Sequence, residues 1–113
     1  MGKLTSMNIK VKPSEAENAA KLLNSMSNPH RLRVLCELHV GEMMVGDLQG
    51  RIGISQSNLS QQLARLRRDG LVRTRRESQK IFYSLASDEV VKIIHLLHDL
   101  FCSEPELEDA AVL

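Results

Sequence analysis

Apolar positions recur at helical spacing along most of this chain, and one stretch breaks the rule. Ala16, Ala19, Ala20, Leu23 and Met26 fall at helical intervals behind Ser14-Glu15-Ala16-Glu17, which has the S-x-x-E form of a capping box. Asn28-Pro29 then opens a second helix, since Asn caps and Pro suits a first position that needs no N–H. Leu32, Leu35 and Cys36, with Leu38 or His39, form its apolar stripe, and Gly41 ends it. A short helix over Val45 to Ile52 turns Leu48 and Ile52 inward and stops at Gly53. Ser55 caps a fourth helix that runs to Asp69 and ends at Gly70, with Leu59, Leu63 and Leu66 as its buried stripe. The period then changes. Leu71 to Arg76 and Lys80 to Leu85 are strand-like around a polar tip, Glu77-Ser78-Gln79. Ser87-Asp88 caps a last helix that carries Val90, Val91, Ile93, Ile94, Leu96, Leu97, Leu100 and Phe101. It is apolar around most of its circumference, so one face suits its own core and another needs a second partner.

The expected fold is mainly α with a small β-hairpin, in one domain of about five helices over residues 14–102. Residues 1–13 are polar and aperiodic and read as a flexible N-terminal arm. Residues 103–113 read as an acidic tail, with Glu104, Glu106, Glu108 and Asp109. Aromatic residues are 3% of the chain and Trp is absent, so the core must be aliphatic. No apolar run reaches bilayer-spanning length and the N-terminus has no secretory h-region, which points to a cytoplasmic protein with no membrane partner. Two cysteines are too few for a disulfide scaffold, and free thiols are their expected state there.

The total charge of +1 hides a strong asymmetry. Between positions 51 and 80 stand Arg51, Arg65, Arg67, Arg68, Arg73, Arg75, Arg76 and Lys80, against only Asp69 and Glu77, a local net charge of +6. Such a stretch on a balanced chain fits a polyanion, although a solvated charged face has the same composition. The order of elements favours the polyanion. Val45 to Asp69 is helix, tight turn, helix, the arrangement that places its second helix in the DNA major groove. Opposite the leucine stripe of that helix lie Ser57, Asn58, Gln61, Ala64, Arg65 and Arg68. Asn and Gln suit adenine, Arg suits guanine or phosphate, and Ser57 and Ala64 are small enough for close approach. Ser55, Gln56 and Ser60 complete the candidate contacts at the helix N-terminal end, where amides attract phosphate. Arg75, Arg76 and Lys80 on the hairpin would lie along the adjacent backbone.

Ile54-Ser55-Gln56-Ser57-Asn58-Leu59-Ser60-Gln61-Gln62-Leu63, followed by Leu66-Arg67-Arg68-Asp69-Gly70-Leu71-Val72, resembles the ArsR/SmtB family of bacterial repressors. Arg75-Arg76 with Ile81-Phe82-Tyr83-Ser84-Leu85 is similar to that family's wing. The resemblance covers residues 14–102. It implies a winged helix-turn-helix homodimer, joined through the first and last helices, that reads a roughly palindromic operator in double-stranded DNA. Met44 departs from the Ser or Thr that relatives place before the short helix, at a cost of about 1 kcal/mol in capping.

The resemblance also frames the signal. A metal site of the family uses cysteines near the short helix, where this chain has Met43-Met44-Val45-Gly46-Asp47. Another uses carboxylates and histidines at positions occupied here by Asp88, Val90, Phe101 and Glu104, so both histidines are apolar. His95 and His98 could present two ligands on one face, without a third. No metal and no cofactor are therefore expected. Cys36 and Cys102, within Arg33-Val34-Leu35-Cys36 and Leu100-Phe101-Cys102, instead resemble the BigR/SqrR/HlyU subgroup, which is persulfide-responsive. That likeness implies a dithiol sensor in which reactive sulfur species bridge the two thiols and release DNA. Spacing alone leaves both as ordinary buried cysteines. A thiolate is the reacting form, and His39 and His98, each one turn from a cysteine, could supply activating positive charge. A metal-responsive repressor and a protein-binding winged-helix module are the competing readings. Enzymatic function is not expected, since there is no phosphate-cradling Gly-rich loop and no Ser/His/Asp constellation.

Overall fold

The computed structural model describes residues 10–102, so most of the expected arm and the whole acidic tail lie outside the described residues. The elements run α1 (Pro13–Met26), α2 (Pro29–Val40), β1 (Met43–Met44), α3 (Val45–Ile52), α4 (Gln56–Arg68), β2 (Val72–Glu77), β3 (Lys80–Leu85) and α5 (Asp88–Phe101). Five helices and a three-stranded antiparallel sheet make a winged helix-turn-helix.

Three caps predicted by the sequence are made. Asn28 Oδ1 accepts from the N–H groups of His30 and Arg31, Ser55 Oγ from that of Asn58, and Ser87 Oγ from that of Val90. The first cap is different. The sequence pattern starts α1 at Ser14, whereas the helix starts at Pro13, with Glu15 Oε1 accepting from the Lys12 N–H at 2.9 Å. Proline at the first helical position explains the earlier start. Met44 precedes α3 without a side-chain cap. It serves instead in β1, a short strand that the sequence reading missed. With two residues, β1 carries no readable alternation. It pairs Met43 with Tyr83 and Met44 with Phe82, so the sheet order is β1-β3-β2 and the wing is rooted beside α3.

The loop of the wing is one residue shorter than the sequence suggests, because Glu77 pairs with Lys80. Two glycines do conformational work. Gly53 ends α3 at φ +80, where it turns the chain into α4. Gly70, at φ +82, follows α4. Its N–H donates to Arg67 O and that of Leu71 to Leu66 O, the paired bonds of a Schellman ending.

Helix α2 is the centre of the core and packs against α1, α3, α4, α5 and β3. Val34 and Leu35 are fully buried, together with Leu48, Leu59, Leu63, Leu66 and Ile94. The stripe of α2 is shifted from the one expected: Val34 lies inside, while Leu32 and Cys36 are half-buried. More unexpectedly, Arg31 is buried. Replacing Leu66 with Ala should destabilise the domain by about 2–5 kcal/mol, read from chemical denaturation, because the cavity opens beneath the end of α4.

Helix α1 contributes little to this core. Only Ser25 and Met26 are buried, and Ala16, Ala19, Ala20 and Leu23 are exposed despite their helical spacing. On α5, Val90 and Ile94 face inward, while Leu96, Leu100 and Phe101 are 56%, 63% and 79% exposed. Among the described residues no helix is long and apolar enough to cross a membrane.

Candidate nucleic-acid interface

Leu59, Leu63 and Leu66 seat α4 on the core and turn its other side outward. Ser55, Gln56, Ser57, Ser60, Gln61, Ala64 and Arg68 are all exposed on that helix or at its cap. Ser55 and Ser57 hydroxyls stand 3.4 Å apart at its N-terminal end, beside amide N–H groups that suit a phosphate. Arg76 and Lys80 are exposed on the wing.

Several of the expected DNA contacts have other partners within the chain, among them Arg68, whose Nε is 3.5 Å from Asp69 Oδ1. Arg65 Nη2 donates to Asn24 Oδ1 of α1 at 3.1 Å and its Nε to Asp69 at 3.2 Å, which draws the guanidinium toward α1. Asn58 is half-buried, and its Oδ1 accepts from Gln62 Nε2 at 2.8 Å. Arg75 forms a fork with Glu42, at 2.7 and 3.0 Å, bonds Glu77 at 3.2 Å and lies over the Phe82 ring. Phe82 is its direct cross-strand neighbour, which explains the stacking. The Arg75 hydrogen bond, helped by the charges of Arg75 and Arg73, holds the Glu42 carboxyl below its ordinary range against the opposing effect of desolvation. The same carboxylates raise Arg75 further above its usual value.

Residues absent from the sequence-based site therefore shape it: Glu42, Gln62 and, through a 3.0 Å hydrogen bond to Gln62 Oε1, the buried Arg31. An arginine inside an apolar stripe and an Asn/Gln pair at i, i+4 were the available signals. Glu42→Gln should release Arg75 for a phosphate. The plot of log affinity against log salt should then steepen by about one phosphate contact, roughly 0.9 in slope, in a fluorescence titration. An unchanged slope would identify Arg75 as a brace of the wing.

The cysteines lie on other elements, α2 and the end of α5. Both are free, Cys36 half-buried on α2 and Cys102 exposed at the end of α5. Burial pushes the Cys36 thiol up, and so do the charges of a Cys102 thiolate and of Glu37. Cys102, far from Cys36 in sequence, thus stands near enough for its charge to bear on it. The activating positive charge expected at Cys36 is not among these influences. Its neighbour His39 instead meets the His95 ring, with centroids 5.7 Å apart. His95 is also 3.5 Å from Asp99. Among the described residues, no three His, Cys, Asp or Glu side chains gather where one metal ion could be held.

Residues 28–74, from the cap of α2 into the wing, match the model of the bacterial regulatory protein, arsR family. The chain is 50% identical to the transcriptional activator HlyU of Vibrio cholerae over 85% of its own length and 89% of that protein. The chain belongs to the arsR family. Its arsR-family relatives include the biofilm growth-associated repressor of Agrobacterium fabrum, 44% identical over 80% of this chain and 78% of the repressor. The solved structure of HlyU superposes with a TM-score of 0.79, covering 81% of this chain and all of that one. A homodimeric winged helix-turn-helix DNA-binding domain of Mycobacterium bovis, Mb0332, is similar at 26% identity with a TM-score of 0.69, over 83% of this chain and 89% of that one. The protein is a transcriptional regulator of the arsR family and not an enzyme.

Proposed function

We propose that this protein is a cytoplasmic, homodimeric DNA-binding repressor that lets go of its operator when reactive sulfur bridges Cys36 and Cys102. Residues 14–102 act as the DNA-binding and dimerisation domain. The observation that carries the sensing part is the influence of Cys102, at the end of α5, on the free thiol of Cys36 on the central helix.

The chemistry follows from their surroundings. Cys102 is exposed and meets a persulfide first. Its thiolate takes the outer sulfur of an organic persulfide, and the organic thiolate leaves. Cys36, as a thiolate, then attacks Cys102 Sγ, whose bond to the transferred sulfur breaks, and that sulfur leaves as hydrosulfide. The resulting bridge ties the end of α5 to α2, against which α4 packs. A changed tilt of α5 in the dimer would alter the spacing of the two α4 helices, and with it the fit to two half-sites one helical turn apart.

On the DNA, Ser55, Gln56, Ser57, Ser60 and Gln61 approach the groove, while Arg68, Arg76 and Lys80 hold phosphate. Asn58, Arg65 and Arg75 take part with the intramolecular partners described above. Whether release raises or lowers transcription depends on what the bound protein excludes: polymerase, or another silencing protein. The relatives named an activator and a repressor fit both outcomes.

The test is fluorescence anisotropy with DNA from upstream of the protein's own gene, at one salt concentration. Reduced protein should bind, and protein treated with an organic persulfide should not. Binding that persists after treatment would overturn the sensing reading and leave the DNA-binding one.

A further inference from the structure

We infer that Asn58 reads DNA only as a hydrogen-bond donor, and so favours guanine, because a relay from buried Arg31 sets which way its amide points. This rests on the DNA-binding reading above and goes beyond it. Arg31 is anchored by its Nε–H, which donates to Ser25 O at 2.6 Å where α1 ends. A guanidinium has donors and no acceptor. Whatever Arg31 Nη1 meets must accept, and at 3.0 Å it meets Gln62 Oε1.

The rest of the relay is forced. With its oxygen turned to Arg31, the Gln62 amide offers Nε2, a donor, on its other side. That group meets Asn58 at 2.8 Å, so the Asn58 atom there must be the acceptor Oδ1. Asn58 is left with Nδ2. This atom bonds no other described residue and is not among the buried unpartnered atoms, so it reaches solvent. Turning either amide over would set donor against donor beside a buried charge.

Asn58 stands in the first turn of α4, at the end that enters the groove, and its backbone N–H is held by Ser55 Oγ. A free asparagine grips adenine by donating to N7 and accepting from N6. Asn58 Oδ1 is held toward Gln62 Nε2, so it is not offered beside the NH2 group for this grip. Guanine presents two acceptors side by side, N7 and O6, and matches an outward NH2 group. Gln62 and Arg31 act as positioning residues, without contact to a base.

The test is selection from a pool of randomised duplex DNA by the reduced full chain, by Asn58→Ala and by Gln62→Glu. The wild type should prefer guanine by about tenfold at one position of each half-site. Asn58→Ala should flatten that position alone. In Gln62→Glu the side chain accepts on both sides, so Asn58 turns its NH2 inward and its oxygen outward. Preference at the same position should move to cytosine or adenine, whose amino groups donate. The added charge weakens binding to all sequences without creating a base preference. Far-UV circular dichroism checks that both variants fold. The inference is overturned if Asn58→Ala selects the same sequence as the wild type, if the position it flattens is adenine, or if Gln62→Glu keeps guanine. Enrichment of no sequence by the wild type would overturn the DNA-binding reading, and this inference with it.

Discussion

Leu100→Glu is expected to turn the protein into a monomer and to weaken operator binding by about 10²–10⁴-fold, the loss that follows when two linked half-site contacts become one. Helix α5 is apolar well beyond what its own core uses. Val90 and Ile94 are buried, yet Leu96 and Leu100, four residues apart, are more than half exposed, and Phe101 extends past the end of the core. Helix α1 offers a second such surface at Leu23, 57% exposed. A second copy of the chain, applied through these two helices, would remove all of them from water. A carboxylate at position 100 would then be buried without a partner, which an apolar interface does not tolerate. The protomer itself should still fold, because Leu100 lies outside the core. Sedimentation would show the monomer, circular dichroism the intact helices and anisotropy the lost affinity. A dimer that survives the substitution would move the interface elsewhere.

Cys36→Ser and Cys102→Ser should each bind DNA as the wild type does when reduced and keep that binding after persulfide treatment. The wild type should lose about 5–150-fold, the usual range of coupling between two sites. Both substitutions are near-isosteric, and neither cysteine is fully buried, so the fold should survive them. The two variants should differ chemically. Cys36→Ser retains the exposed Cys102 and should still accept a persulfide sulfur, visible by mass, without closing a bridge. Cys102→Ser retains only a half-buried thiol held above its ordinary value and should react slowly. In the wild type the closing step needs the Cys36 thiolate, so it should quicken as pH rises through and beyond the ordinary thiol range. Full release by either single variant would refute the two-thiol switch.

Much of this was legible along the chain. Asn28, Ser55 and Ser87 cap where a short oxygen-bearing side chain precedes an apolar period, and Gly53 and Gly70 stop helices where φ turns positive. These are local effects, decided within four residues, so the order of helices and the outward face of α4 follow from the sequence. The excess apolar surface of α5 follows in the same way. The strand β1 did not, because two residues carry no pattern. Nor did the roles of Arg65 and Asn58, which a helical wheel turns outward with equal weight, or that of Arg75 on the wing.

Tertiary structure decided what those side chains meet. Asn24, Glu42 and Gln62 bond Arg65, Arg75 and Asn58, and two of those three partners lie outside the element that carries the residue they bond. It also half-buried Cys36 and let the charge of Cys102 bear on it, which raises the thiol where the neighbouring histidines alone suggest the opposite direction. The reason is one of range. Caps, turns and helical faces depend on neighbours along the chain, which a sequence displays. Ion pairs, amide orientation and thiol acidity depend on neighbours in space, and only the packing of α1, α3, α4 and α5 around α2 brings those together.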